Sequence, residues 1–133
     1  MIVCDTNLLV ALAVAMPQSH VADAVWQADS QWATTPLWES EFRNVLVHLI
    51  KKKVVSHDDA LAAFRFASER VNIYNVSSGL VLKIALEHKL TAYDSEFAAL
   101  AEWLDVPCVS WDKDLIRQGR AMSPEDFLKH SGE

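Results

Sequence analysis

Glycine, proline and cysteine are all scarce in this sequence, which has three Gly, four Pro and two Cys among its 133 residues. With 51% hydrophobic residues as well, the composition excludes an intrinsically disordered chain. No Pro-, Gly- or Ser-rich tract, repeat or low-complexity stretch divides the sequence into parts. A chain of this length buries most of its apolar surface in one core, so we expect a single domain over residues 1–133.

The sequence also lacks a hydrophobic run long enough to cross a bilayer, since the apolar stretch 8–15 is far shorter than a membrane span. That stretch ends in Ala-Val-Ala, which imitates a signal-peptide cleavage site, but the positively charged segment that should precede it is missing. Cys4 and Cys108 lie in apolar, strand-like segments without metal-binding spacing, which is typical of buried free thiols in a reducing compartment. We therefore expect a cytoplasmic protein with no membrane partner.

Positive charge is in deficit, because the formal net charge is −6. This sign disfavours a protein that binds nucleic acid through a broad basic surface. The disadvantage is smaller if bound cations hold several acidic side chains together, since a cation inverts the local charge. The basic residues form two groups, the run Lys51–Lys53 and the set Lys113, Arg117 and Arg120. A solvated helix end is the default interpretation of the lysine run.

Strand-like and helix-like segments alternate along the whole sequence. Short β-prone segments occur at 1–4, 32–35, 71–75 and 106–111, with helical spacing of apolar residues between and after them. No two strands are joined by a tight hairpin turn, so the pattern predicts a parallel sheet of four to five short strands with helices on both faces. Right-handed crossovers would bring the carboxyl ends of the strands to one edge. The predicted fold class is α/β.

Two aspartates follow predicted strands directly. Asp5 comes after the apolar segment 1–4 and Asp112 after 106–111, and each stands at the start of a predicted helix. An N-cap that satisfies the first free N–H groups of its helix explains either residue by itself. The alternative interpretation is a ligand site, because open α/β sheets bind ligands at the carboxyl ends of their strands, where both side chains would meet.

Glu41 interrupts the apolar face of a predicted helix over 37–50. It lies three residues after Trp38 and four before Val45, and both belong to that face. An isolated charge is too costly to bury, so this carboxylate must be paired, protonated or bound to a metal. An ion pair with an Arg or Lys is the structural alternative to a metal site.

A further acid, Asp94, begins another predicted helix. Carboxylates that share one site repel each other unless a cation lies among them. Carboxylates at this density, without clustered Cys or His, suit Mg²⁺ or Mn²⁺ rather than Zn²⁺. The sequence thus predicts a divalent-metal site of four acids, Asp5, Glu41, Asp94 and Asp112.

The same residues carry a resemblance to PIN-domain nucleases, and in particular to VapC-type toxins, over nearly the whole chain. Residues 2–7 resemble the family's opening strand, and 36–46 its "Pro…Glu…Asn-Val-Leu" helix. Tyr93 and Asp94 with 100–102 are similar to its "Tyr-Asp…Leu-Ala" segment, and 109–115 to its "Thr-x-Asp-x-x-Leu" strand end. Each motif is short, and their common order is the stronger signal. The family's metal ligands then fall on the four acids named above.

The resemblance implies a metal-dependent endoribonuclease that hydrolyses RNA phosphodiester bonds, with Mg²⁺ or Mn²⁺ lowering the pKa of a bound water. It places at the site edge Thr6, Asn7 and Ser110, where Ser110 keeps the hydroxyl of the family's usual Thr. Asp114 is either a fifth member of the site or a solvated helix residue. The candidate phosphate contacts are basic residues that follow two of the acids in sequence, Arg43, Lys51, Lys52, Lys53, Lys113 and Arg117. Toxins of this type resemble one another in forming homodimers and in being held inactive by a small antitoxin protein.

Five tryptophans are many for a chain of this size. Trp38 and Trp103 are interpreted as core residues. Trp111 directly precedes Asp112 and is a candidate for stacking on a base, with packing as the alternative.

Two other functions remain open. A PIN-like module that has lost catalysis and only binds RNA or protein would have the same fold, although retention of all four acids argues against it. A phosphoacceptor receiver domain is also a small acidic α/β domain, but it needs a pair of acids after the first strand. Asp5 is instead followed by Thr6 and Asn7, and the comparison rests on fold-level analogy alone.

Overall fold

Four short parallel strands form the centre of the molecule. The computed structural model describes residues 1–132, and the predicted end of the domain, Glu133, lies outside the described residues. The strands are β1 (Ile2–Cys4), β2 (Trp32–Thr34), β3 (Val71–Ile73) and β4 (Cys108–Val109). They pair in parallel in the order β3-β2-β1-β4. The predicted α/β class and parallel sheet are confirmed, with four strands in the part of the chain that the structure describes.

Eight helices accompany the sheet in residues 1–132: α1 (Thr6–Ala13), α2 (Ser19–Ala28), α3 (Leu37–Lys51), α4 (His57–Ser68), α5 (Ser78–His88), α6 (Ala92–Leu104), α7 (Lys113–Arg117) and α8 (Pro124–Ser131). Most of them begin at a polar side chain that accepts a hydrogen bond from a backbone N–H of the first turn, as at Ser56, Ser77 and Thr91. Among these helices, none combines the length and the apolar character needed to span a bilayer.

The core lies on both faces of the sheet, because alternate residues of a strand point to opposite sides. Ile2 and Cys4 of β1 are fully buried in a cluster with residues of α1 to α4. Val3 lies on the other face, in a cluster with residues of α6 that includes Phe97 and Leu100. Strands covered on both faces are continuously apolar, as β1 is, and this explains why its sequence shows no alternation.

The two tryptophans assigned to the core behave differently. Trp38 is fully buried and stacks on Phe64 with 5.1 Å between ring centroids, which confirms the prediction. The prediction for Trp103 is wrong, because this residue is 64% exposed; it makes an edge-on ring contact with Tyr74, with 6.4 Å between the ring centroids. With about 100° per residue, Trp103 lies outside the buried face of α6, although it is three residues from Leu100.

Candidate active site

Strand β1 pairs with β4 so that Cys4 lies opposite Val109. The chain therefore leaves both strands at the same edge of the sheet, as the sequence predicts. The backbone N–H of Asp5 donates to the carbonyl of Val109 at 3.3 Å, which extends the pairing by one residue. Asp5 and Ser110 are thus brought side by side at the carboxyl ends of adjacent strands, with Asp112 two residues further on.

Ser110 is the centre of a hydrogen-bond network at this edge. Its hydroxyl donates to Asp5 Oδ2 at 2.6 Å, and its oxygen accepts from Asn7 Nδ2 at 3.1 Å and from the backbone N–H of Asp112 at 2.9 Å. Asn7 Oδ1 in turn accepts from the backbone N–H of Trp111 at 3.3 Å. Ser110 is fully buried and Asp5 is 7% exposed, so the hydrogen bond between them is shielded from water, whereas the contacts of Asn7, Trp111 and Asp112 are partly buried. The network fixes the orientation of Asp5.

Asp5 and Asp112, both predicted site residues, are also helix caps. Asp5 Oδ1 accepts from the backbone N–H of Thr6 at 2.7 Å at the start of α1. Asp112 Oδ1 accepts from the backbone N–H groups of Asp114 and Leu115, each at 2.9 Å, at the start of α7. In each case one carboxylate oxygen serves the helix, and the cap and ligand interpretations are compatible.

Glu41 reaches the same edge from α3. The hydroxyl of Thr6 donates to Glu41 Oε1 at 2.7 Å, which links α3 to the first turn of α1. Among the ion pairs of residues 1–132, none joins Glu41 to an Arg or Lys. The ion-pair alternative is therefore wrong, and a neutral hydroxyl is the partner.

Asp94 stands in the first turn of α6, which begins at Ala92, two residues before its predicted start. Thr91 is the N-cap, and its hydroxyl accepts from the backbone N–H of Asp94 at 3.1 Å. Burial raises the pKa of Asp94, and the neighbouring charges of Asp112 and Asp114 raise it further. The carboxylates of Asp112 and Asp114, which follow β4, are therefore near enough to act on Asp94 through their charge.

Burial also raises the pKa of Asp5, to about 6, although the hydrogen bonds from Ser110 and Thr6 lower it. The charges of Asp94 and Asp112 act on Asp5 in the same direction as burial. For Asp5, Glu41 and Asp94 the pKa is thus raised by burial and by the charges of neighbouring acids, which repel one another in the absence of a cation.

Glu41 shows the same effect and identifies a residue that the sequence did not. Burial raises the pKa of Glu41, and the charges of Asp5, Asp94 and Glu96 raise it further. Glu96 is half-buried on α6, two residues after Asp94. Its position near Asp94 in the first turns of one helix was the only signal in the sequence.

The donor set fits a hard divalent cation. Its members offer oxygen atoms alone, and no basic side chain forms an ion pair with any of the four acids in residues 1–132. In the same residues no three His, Cys, Asp or Glu side chains form a ready-made ligand cluster. Mg²⁺ is commonly held by one or two carboxylates together with waters and substrate phosphate, so it does not need a complete protein cage.

The predicted basic contacts are more dispersed than the acids. Arg43 lies 6.0 Å from the ring centroid of Phe64 in a groove between α3 and α4, because two residues along a helix turn it far from Glu41. Lys51–Lys53 are exposed at the end of α3, and Lys113 is exposed directly after Asp112. Arg117 forms an ion pair with Asp114 at 3.1 Å, on the exposed side of α7.

Comparisons with known proteins agree with this architecture. The sequence matches the PIN domain family over residues 2–121. The structure of PAE2754 from Pyrobaculum aerophilum is similar with a TM-score of 0.79 and 23% identity, covering 98% of this chain and 88% of that one. A chain of a toxin–antitoxin complex from Klebsiella pneumoniae is similar with a TM-score of 0.70 and 22% identity, covering 93% and 98%. VapC20 from Mycobacterium tuberculosis, a sarcin-ricin loop cleaving toxin, has a TM-score of 0.65 and 18% identity, covering 90% and 95%. A search of curated proteins finds no match. At these identities the solved structures show the shared fold.

Proposed function

The chain belongs to the PIN domain family, and from this premise we propose that it is a metal-dependent endoribonuclease of the VapC type, the toxin of a toxin–antitoxin pair. The observation that carries the proposal is the buried carboxylate of Asp5, held by Ser110 and near enough to further acids for their charges to act on it, while no basic side chain of residues 1–132 forms an ion pair with the four predicted acids. Repulsion among neighbouring carboxylates destabilises the protein unless a cation binds between them, so such an arrangement is typical of a cation-binding site. The names of two structural neighbours, a toxin–antitoxin complex and a sarcin-ricin loop cleaving toxin, support the same conclusion.

Asp5, Glu41, Asp94 and Asp112 would hold Mg²⁺ or Mn²⁺, and Glu96 and Asp114 would add negative charge around them. When bound, such an ion polarises the phosphate and lowers the pKa of a bound water. The chain's own contribution is orientation. Ser110 and the N–H of Thr6 hold Asp5 in one rotamer, and the hydroxyl of Thr6 holds Glu41. A site whose oxygen atoms are already fixed needs little rearrangement when the substrate arrives.

Basic residues around the site would bind the RNA backbone. Lys113 is best placed, since it is exposed and follows Asp112 directly. Lys51–Lys53 would contact more distant phosphates, and Arg117 would have to exchange its contact with Asp114 for one with RNA. Arg43, which faces α4, is the weakest of the proposed contacts.

A small antitoxin and a second copy of the chain are the proposed protein partners. The Klebsiella complex supports an antitoxin, and the formal net charge of −6 suits a basic one. The homodimer rests on the resemblance to VapC toxins, and size-exclusion chromatography with light scattering tests it.

The proposed function is tested by incubating a mixed RNA pool with the purified chain in Mg²⁺, in Mn²⁺ and in EDTA. We expect cleavage that requires the metal and that Asp5→Asn abolishes. Asp58→Asn is the matched control, because it removes the same charge from a carboxylate that is 99% exposed on α4. Binding without cleavage by metal-loaded protein would support the inactive module instead. Cleavage that survives Asp5→Asn would show that the site is wrongly placed or that a contaminant cuts the RNA.

A further inference from the structure

A pocket of about 240 Å³ has in its wall Asn7 and Trp111, two residues of the hydrogen-bond network around Ser110. Three residues of its wall are sequence neighbours of three acids. Asn7 is two residues after Asp5, Trp111 directly precedes Asp112, and Val45 lies one helical turn after Glu41. The network around Ser110 to which Asn7 and Trp111 belong also holds Asp5, so the pocket adjoins that network, although none of the four acids and none of the predicted phosphate contacts lines it.

The wall of this pocket is held in place by hydrogen bonds. The backbone N–H of Trp111 donates to Asn7 Oδ1 at 3.3 Å, and the other end of the Asn7 amide donates to Ser110. The indole Nε1–H of Trp111 donates to both carboxylate oxygens of Glu125 on α8, at 2.9 and 3.3 Å. Because hydrogen bonds hold both the backbone and the ring of Trp111, this side chain loses little conformational entropy when a ligand packs on it.

The chemistry of the wall favours an uncharged, flat ligand. Val45 and Met16 provide apolar surface, Trp111 provides an aromatic surface, and all the described residues that line the pocket are uncharged. A neutral wall gives no counter-charge to a phosphate or to a basic side chain of a partner protein. The volume is below the usual range for pockets that take drug-sized ligands, so it suits a single ring system.

Gln18 supplies a polar side chain at this pocket, with no hydrogen bond from that side chain seen within residues 1–132. It is the exposed residue before α2, and its side chain makes no capping hydrogen bond to that helix. A Gln amide offers a donor and an acceptor side by side, and this arrangement can form a paired hydrogen bond with the edge of a base.

We infer that this pocket binds one nucleobase of the RNA, next to the scissile phosphate, with Trp111 as its stacking surface and Gln18 as the residue that selects among bases. The inference rests on the proposed ribonuclease function and adds a determinant of cleavage specificity. A base held here would position the adjacent phosphate near Asp5 and Asp112, since Asn7 and Trp111 of the pocket wall are hydrogen-bonded into the network around Ser110.

The first test is cleavage of a mixed RNA pool, with the base on each side of every cut read by sequencing. We expect the unmodified chain to prefer certain bases at one position beside the cut, and Gln18→Ala to reduce that preference by roughly 5- to 100-fold. Trp111→Leu should raise KM by roughly 5- to 100-fold with a smaller change in kcat. Trp111→Phe keeps an aromatic ring, so its KM should lie close to that of the unmodified chain. The matched controls are Gln27→Ala and Trp103→Leu, two exposed residues outside the pocket.

The second test is binding of a short mixed-sequence oligoribonucleotide with Ca²⁺ in place of Mg²⁺, which does not depend on chemistry. Trp111→Leu should weaken binding and Trp103→Leu should not. If the chain binds RNA through this pocket but never cleaves it, the proposed function fails and the pocket stands. If the chain cleaves RNA while Gln18→Ala and Trp111→Leu leave the base preference, KM and RNA binding unchanged, the inference that the pocket binds a base is wrong and the proposed function is still supported. Failure of the unmodified chain to bind RNA at all overturns the pocket as well.

Discussion

The charge of Asp5 should make the metal-free protein less stable at neutral pH than at mildly acidic pH. Burial raises the pKa of this carboxyl from an ordinary value of 3.8 to about 6 in the folded chain. The folded state therefore holds its proton more tightly than the unfolded state does. Stability is gained as the pH falls through 6 and is lost as the pH rises, until Asp5 is ionised in both states.

The size of this effect follows from the two pKa values of Asp5. At pH 7 the ionised carboxyl lowers the free energy of unfolding by about 3 kcal/mol relative to the protonated one. Lowering the pH from 7 to 5 should return about 1 kcal/mol of this, since protonation of the folded state is then nearly complete and that of the unfolded state is not.

Urea unfolding of the unmodified chain and of Asp5→Asn, in EDTA at several pH values from 8 to 5, measures this contribution. The Asn variant also changes the short hydrogen bond in which Ser110 donates to the carboxylate. Because this bond favours the ionised form of Asp5, its pH-dependent part is already contained in the pKa of about 6, and the remaining difference between Asn and protonated Asp is the same at every pH. The informative quantity is therefore the change with pH in the difference between the two proteins. Asp58→Asn, at an exposed site, should follow the unmodified chain throughout.

Parallel curves for the unmodified chain and Asp5→Asn would refute the reasoning, because Asp5 would then titrate alike in the folded and unfolded states. A difference of the opposite sign would mean that the hydrogen bonds from Ser110 and Thr6 outweigh burial. Neutralising Asp5 also removes one of the charges that raise the pKa of Glu41. The resulting change in the titration of Glu41 has the same sign as the effect of Asp5, so it increases the pH dependence of the stability difference between the two proteins.

Three further predictions use variants at other positions. Ser110→Ala should lower the free energy of unfolding in urea by about 2 kcal/mol, because it leaves a buried oxygen of Asp5 without its hydrogen-bond donor. Ser110→Thr keeps the hydroxyl and should keep most of the stability. Equal losses in the two variants would contradict a role for the hydroxyl. Glu41→Gln keeps an acceptor for the hydroxyl on α1 but removes a charge, so RNA cleavage should be lost without a fall in the thermal midpoint, and a fall of several degrees would show a structural role for the charge. Trp38→Leu should lower the free energy of unfolding in urea by about 3 kcal/mol, because Trp38 is fully buried, whereas Trp103→Leu should change it by no more than about 0.5 kcal/mol. Similar losses in the two variants would contradict the difference in burial between these residues.

The sheet was predictable because its signal is local. Short apolar segments and the spacing between them predict the parallel arrangement, and the chain direction then places Asp5 and Asp112 at one edge. What the sequence could not supply is the order β3-β2-β1-β4, which makes β1 and β4 neighbours. That order depends on contacts between residues about a hundred positions apart, such as Cys4 and Val109. The role of Ser110 depends on the same register.

Side chains on helices show where local reasoning fails. Spacing identified the face of Glu41 but not its partner, a hydroxyl on a different helix. Closeness in sequence suggested that Arg43 accompanies Glu41, yet the turn of the helix sends it towards Phe64. Glu96 was missed because it belongs to no motif and shows its relation to Glu41 only when α3 and α6 are in place.

Asp5 and Asp112 can each serve both as the N-cap of a helix and as a metal ligand, because the two roles use different parts of the carboxylate. A carboxylate has two oxygens. The N–H groups of a new helix fix one oxygen, as they do for Asp112 Oδ1, and the rest of the group can then face the site. The helix also gives the carboxylate a favourable dipole, which offsets part of the cost of burying its charge. A strand that leads directly into a capped helix is thus an economical way to hold a buried acid in one orientation. We expect the capping bonds of Asp5 and Asp112 to be as necessary for activity as the acids themselves, because a carboxylate that is free to rotate would hold neither a metal nor the substrate in place.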